Sequence, residues 1–169
     1  MNVLTISGSA RAASRNAGLL DAFPQFFPNV SFERYEAINQ LPLFEVGLDV
    51  APWPSTVVQW RQRLTVADAV IICTPAYLHN IPAILKNAFE WIATSGELAN
   101  KPVLALTFTP HPPRGEKAMQ SLLWTLQALN ARVVGFLALY QQDIQLKEGN
   151  LLADAETREL LAEAIKLLG

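Results

Sequence analysis

A parallel α/β sheet covered by helices on both faces is the fold class this sequence predicts, on three observations. Strand-like apolar runs alternate along the chain with segments whose apolar residues recur at helical spacing. The runs 69–73 and 103–108 are almost unbroken in their apolar character, as strands buried on both faces are. No repeat, low-complexity tract or composition break divides the 169 residues, so one domain, 1–169, is expected, and 51% hydrophobic residues supply its core. Parallel neighbours need right-handed crossovers, which lays the intervening helices over the sheet.

Residues 2–6 form the first strand. Residues 16–23 follow as a short helix with Leu19, Leu20 and Phe23 on one face, and Pro24 is expected to stop it. Residues 30–35 alternate apolar and polar, which fits an edge strand or one with an exposed face. The stretch 36–54 holds Pro42, Pro52 and Pro54 without clear periodicity, a connection long enough to expect a function. Ser55 reads as an N-cap for a helix marked by Val57, Trp60 and Leu64 and ending near Val66.

Beyond the buried strand 69–73, residues 74–80 form a loop. A helix carrying Ile81, Ile84, Leu85, Ala88, Phe89 and Ile92 comes next, with Pro82 in its first turn. Strand 103–108 leads into loop 109–115, which holds Pro110, Pro112 and Pro113. Helix 116–130 places Met119, Leu122, Leu126 and Leu129 in register, residues 132–140 form the last long strand, and Asp154 caps a closing helix with Leu161, Ile165 and Leu168.

Ligands of such sheets bind outside the carboxyl ends of the strands, which brings loops 7–16, 74–80 and 109–115 to one cleft. The first loop carries the clearest chemistry. Gly8 lets the backbone approach a ligand closely, Ser9 and Ser14 offer hydroxyls, Asn16 an amide, and Arg11 a permanent charge. At a helix N-terminus such a set suits a phosphate, although Ser14 or Asn16 would also serve an ordinary helix cap. A Walker loop and the three-glycine dinucleotide fingerprint are both missing, which counts against ATP hydrolysis and a standard Rossmann NAD site.

A net charge of -2 and a pI near 5.7 give no electrostatic footprint for nucleic acid or anionic membrane. One cysteine, Cys73, excludes an internal disulfide. The N-terminal apolar run is short and no basic region precedes it, so neither a leader nor a membrane span is expected, and a cytoplasmic protein is the default. His79 and His111 are the only histidines, and no carboxylate or cysteine stands near them at ligand spacing, so no metal is expected. Cys73 reads as a small buried hydrophobe, Trp91 as core or interface, and Trp124, off the apolar face of its helix, as an interface residue.

Two motifs then carry a resemblance: Gly8-Ser9-x-Arg11-x-x-Ser14-x-Asn16, and Pro75-x-Tyr77 followed by Ile81-Pro82-Ala83-Ile84-Leu85-Lys86-Asn87-Ala88 and closed by Trp91. In these, and in element order over about residues 1–140, the chain resembles the NADPH-dependent FMN reductase family. The resemblance implies a flavodoxin-like three-layer sandwich with strand order 2-1-3-4-5, FMN as cofactor and NADPH or NADH as reductant. It implies that Ser9, Arg11, Ser14 and Asn16 hold the FMN phosphate. It also implies that Pro75, Ala76, Tyr77, Leu78, His79 and Asn80 lie along the ribityl chain and ring. Thr109 and Arg114 of the third loop complete the expected site, where Arg114 either meets the 2′-phosphate of NADPH or is a solvated surface residue.

Two departures stand out. The family's second loop usually reads Pro-Glu-Tyr-Asn-Gly-Ser, where this chain has Ala76, Leu78, His79 and Asn80, and its third loop is usually glycine-rich, where this chain has three prolines that remove backbone donors. No catalytic triad is required, because the flavin carries the chemistry. Acceptors in the family include free flavins, quinones, azo compounds and metal oxyanions, and its members are commonly homodimers or homotetramers. Two other classes remain: an FMN electron carrier, disfavoured by the near-neutral charge, and a binding or regulatory protein without redox turnover, favoured by Pro110, Pro112 and Pro113.

Overall fold

Only a strand with two apolar faces can sit between other strands and under helices on both sides. The run from Ala69 does so. In the computed structural model, which describes residues 1–147 and 150–169, β3 (Ala69–Thr74) is buried at every position. It pairs in parallel with β1 (Asn2–Ser7) on one side and β4 (Pro102–Thr109) on the other. The edge strands are β2 (Ser31–Tyr35), beside β1, and β5 (Arg132–Tyr140), beside β4. The five-stranded parallel sheet therefore has the order β2-β1-β3-β4-β5, the flavodoxin-like arrangement expected.

Alternate residues of each strand feed two cores. Val70, Ile72, Val103 and Ala105 pack with α2 (Ser55–Val66), α3 (Ala83–Glu90) and α4 (Glu116–Ala128). Ala69, Ile71, Cys73, Leu104, Leu106 and Phe108 pack with α1 (Arg15–Phe26) and α5 (Ala155–Lys166). Helices thus cover both faces, and each fully buried Leu, Ile or Phe contributes roughly 1.5–3 kcal/mol.

Of three expectations about helix ends, two are corrected and one holds. Pro24 does not stop α1, which runs through it to Phe26. The lost N–H falls in the last turn, where Phe23 and Phe27 meet edge to face with centroids 6.1 Å apart and Phe23 contacts Phe32 at 6.0 Å, and this burial offsets the break. Ser55 is the first helical residue and makes no cap, because Pro54 occupies the N-cap position. Asp154 does cap α5, accepting a 2.7 Å hydrogen bond from the Thr157 N–H.

Between β5 and α5 the structure adds a short antiparallel pair, β6 (Gln145–Lys147) and β7 (Asn150–Leu152), that periodicity did not reveal. Trp91 is fully buried and Trp124 is 63% exposed, which resolves the first as core. No helix among the described residues is long and apolar enough to cross a membrane.

The connection 36–54 contains two 3-10 turns (Ile38–Gln40 and Val46–Leu48) and is fastened by side chains from two helices. Asn87 of α3 donates to the Pro42 carbonyl (2.9 Å) and accepts from the Phe44 N–H (2.7 Å), and Trp91 Nε1 donates to the same Pro42 carbonyl (2.7 Å). Arg61 of α2 donates to Asp49 (2.7 Å) and to the Trp91 carbonyl (2.7 Å), and lies over the Trp53 ring.

Candidate functional site

The strand-to-helix turn after β1 is held in shape by its own small polar residues. Gly8 donates to the Cys73 carbonyl at 2.8 Å, which ties the loop to β3. A Cβ at position 8 would stand 2.7 Å from Thr74 Oγ1 and 3.0 Å from Leu85 Cδ2, so only glycine lets the chain pass there. Ser7 Oγ accepts from the Ser9 N–H (3.4 Å) and lies 3.4 Å from Ser14 Oγ, while Ser9 Oγ accepts from the Arg11 N–H (3.3 Å). Ser7, Ser9, Ser14 and Asn16 are all buried.

Ser14 caps α1 by accepting from the Ala17 N–H at 3.1 Å, so the capping role and a ligand-facing position coexist in one residue. The N–H groups of Arg15 and Asn16, in the first turn of a twelve-residue helix, have no intrahelical acceptor, and the helix dipole places positive potential there. The arrangement suits an anion with several oxygens, such as a phosphate monoester.

A cleft of about 310 Å³ opens over this turn. Ser9, Arg11, Ser14 and Asn16 line it from the first loop, Pro75, Ala76 and Tyr77 from the second, and Thr109 and Arg114 from the third. Nine of the twelve expected site residues are therefore brought together. Arg15, Phe108, Pro110 and Gln141 join them unanticipated. Gln141 follows β5, whose carboxyl end opens on the same side as the other three, so the rule that located the loops also pointed to it. Arg15 Nη1 donates to Gln141 Oε1 at 2.9 Å and closes that end. Among the described lining residues are three arginines and no carboxylate, which makes the cleft strongly cationic although the chain is not.

Leu78, His79 and Asn80 stand outside the lining. Tyr77 and Asn80 exchange two backbone hydrogen bonds of 2.9 Å, and Leu78 and His79 form the tip of that turn at φ 51° and 61°. This left-handed backbone is usually given to Gly or Asn. The strain is carried on a residue that faces solvent, since Leu78 is 99% exposed. Asn80 Oδ1 accepts from the Ile81 N–H (2.8 Å) and so leads the chain into α3.

In the third loop Thr109 Oγ1 donates to the Arg114 carbonyl at 2.6 Å, and Gly115, at φ 102°, packs 3.0 Å from Thr109 where a Cβ would be. Arg114 is exposed and lines the cleft. His111 Nδ1 stays within its own loop, 2.9 Å from the Pro112 carbonyl. Burial pushes the Cys73 thiol up, so it stays protonated and is no nucleophile.

A second groove, of about 670 Å³, runs along the β2 edge, but its charges satisfy one another: Arg34 pairs with Asp21 and Glu36, and Arg63 with Glu33. Among the described residues no three His, Cys, Asp or Glu side chains converge as metal ligands would.

Comparison with known proteins places this geometry. A subunit named NADH:(hydroxy)cinnamate reductase, from Vibrio ruber, is 42% identical over 106 residues, which cover 62% of this chain and 52% of that protein. The chain thus spans about half the length of that relative. A quinone reductase from Escherichia coli is 30% identical over 138 residues, covering 79% of this chain and 73% of the relative. Among solved structures, the flavoenzyme NAD(P)H:(acceptor) oxidoreductase FerB from Paracoccus denitrificans superposes with a TM-score of 0.79 at 21% identity, over 99% of this chain and 94% of the other, and so shares the fold. Residues 1–142 match the family described as NADPH-dependent FMN reductase, and with the strand order and the cleft in agreement, the chain belongs to that family.

Proposed function

We propose that this protein is an FMN-dependent NAD(P)H oxidoreductase whose acceptor is a small molecule: a quinone, a free flavin, an azo compound or a metal oxyanion. One observation carries the reading. The buried serine and asparagine donors at the N-terminus of α1 and the apolar second loop face a single cationic cleft. FMN bound there supplies hydride acceptance and electron transfer, so the chain has to bind, orient and exclude water.

Ser9, Ser14, Asn16, Arg11 and the free N–H groups of the first turn of α1 hold the phosphate. Pro75, Ala76 and Tyr77 flank the ribityl chain and the ring. Leu78, His79 and Asn80 sit at the rim, where an acceptor approaches, and Thr109 fixes the third loop so that the Arg114 guanidinium meets a phosphate of the reductant. The quinone reductase relative supports a flat, conjugated acceptor.

The protein acts as a homodimer or homotetramer in the cytoplasm. Leu43, Val46 and Val50 support self-association: they are 81%, 79% and 62% exposed on a connection that is otherwise firmly fastened. Light scattering of the wild type and of the Leu43→Asp/Val46→Asp double variant tests it, with a smaller particle expected for the variant.

The central experiment is a visible spectrum of the purified protein after incubation with FMN and desalting, followed by anaerobic NADPH. Retained flavin that bleaches is the expected result. Retained flavin that does not bleach would favour an electron carrier or another reductant, and a colourless protein would make it a binding protein without a flavin.

A further inference from the structure

Position 73 is the last residue of β3 to point toward α1, directly beside Ser7 in the sheet register. The sequence alone gives Cys73 an inert role, and its burial agrees. Its contact does more than fill space. Cys73 Sγ donates to Asn16 Oδ1 at 3.2 Å, a buried hydrogen bond across 57 residues of chain. Asn16, 4% exposed, is the second residue of α1 and lines the cleft.

A carboxamide has one accepting end and one donating end, and which end faces a ligand decides whether it attracts or repels an anion. We propose that Cys73 is a positioning residue for FMN: its thiol holds the Asn16 carbonyl oxygen inward, so that the amide NH2 is the end presented to the phosphate. The inference rests on the reading of residues 9–16 as the phosphate site.

Its chemistry is consistent at each step. Burial keeps the thiol protonated, so it has a hydrogen to give at any pH the protein meets. Ser7 and Ser14 already share their hydroxyls with the loop backbone and each other, and Ala17 occupies Ser14, which leaves Asn16 to the thiol. Without a donor at position 73 the amide has no reason to prefer one orientation. Turned the other way, it would aim its oxygen at an anion.

The test is a matched pair of variants. Cys73→Thr keeps a donor on a strand-compatible side chain, and Cys73→Val has nearly the same shape and none, so any packing penalty is common to both. FMN and riboflavin affinities are measured by quenching of flavin fluorescence on apoprotein, with melting curves to confirm folding. The expected result is a Cys73→Val protein that binds FMN about three- to tenfold more weakly than Cys73→Thr, the size of one hydrogen bond, with riboflavin binding equal in both. In an Asn16→Ala background the difference between Val and Thr should vanish. Equal FMN affinity for the two variants, or parallel losses for FMN and riboflavin, would overturn the proposal. A wild type that binds FMN no better than riboflavin would instead remove the phosphate site itself.

Discussion

Two irregular segments of this protein are ordered in opposite ways. Residues 7–16 are short, and beyond two ties to Cys73 their order comes from within: serine hydroxyls bond to the backbone two residues on, and a cap starts the next helix. Residues 36–54 are long and carry exposed Leu43, Val46, Val50 and Trp53, and their order is borrowed from Asn87, Trp91 and Arg61 of other elements. The first segment keeps its polar groups ready for a ligand at little cost in conformational entropy. The second is held in place so that an apolar surface can be presented to something else.

The sharpest way to separate them is to remove Arg61. Its side chain is 12% exposed, and so is that of Asp49, its partner. Arg61→Ala also strips the Trp91 carbonyl of its donor and Trp53 of its cation. Leaving the part-buried Asp49 carboxylate without its counter-ion, though still bonded to Thr94 and Trp53, and the Trp91 carbonyl without its donor should cost about 2–3 kcal/mol in urea-induced unfolding. FMN affinity should stay within about twofold of wild type at temperatures where the variant is folded, since none of these groups lines the cleft. A variant that lost stability and FMN together would mean that the two segments are coupled.

Arg11→Ala is the converse. Arg11 is exposed, and its guanidinium makes a single weak bond, 3.4 Å, to the Ala13 carbonyl among the described contacts, so removal should leave unfolding within about 0.5 kcal/mol of wild type. Its charge-assisted contact with phosphate should be missed by about 1.5–3 kcal/mol in an FMN titration. Unchanged affinity would hand the anion to Arg15, which enters the same cleft beside it.

The same contrast explains what the sequence disclosed. The first loop was legible because much of what orders it is local: Ser7, Ser9 and Ser14 act on neighbours two or three residues away, whereas the ties of Gly8 and Asn16 to Cys73 left no trace in the sequence. The sheet order was legible because runs 69–73 and 103–108 demand burial on both faces. Long-range pairings such as Arg61 with Asp49, or Asn87 with Pro42, leave no periodic trace, so 36–54 read as merely irregular. Pro24 does not end its helix because the packing of Phe23 against Phe27 and Phe32 outweighs one lost hydrogen bond, and that packing has no periodic signature. The outward turn at Leu78 and His79 was hidden because a leucine does not announce a positive φ. Arg15 was overlooked in favour of Arg11, although the residue that opens a helix faces whatever its N-terminus binds.

Acidification should loosen the borrowed order before the built-in one, by a smaller margin. Burial alone would raise the Asp49 carboxyl, but hydrogen bonds from Arg61, Thr94 and Trp53 and the Arg61 charge outweigh it and hold the group below the usual carboxylate range. A carboxylate whose folded value is depressed stabilises the protein above its unfolded value and loses that contribution as pH falls through the folded one. The connection 36–54 should therefore gain protease sensitivity and faster amide exchange as the solution passes below the ordinary aspartate range. The turn at 7–16, whose bonds involve no carboxylate, should keep its protection over the same interval. Asp49→Asn should flatten the pH dependence of the connection while leaving its Thr94 and Arg61 neighbours an oxygen to bond. Equal loosening of both segments would show that acid acts through the net charge of the whole chain and not through Asp49.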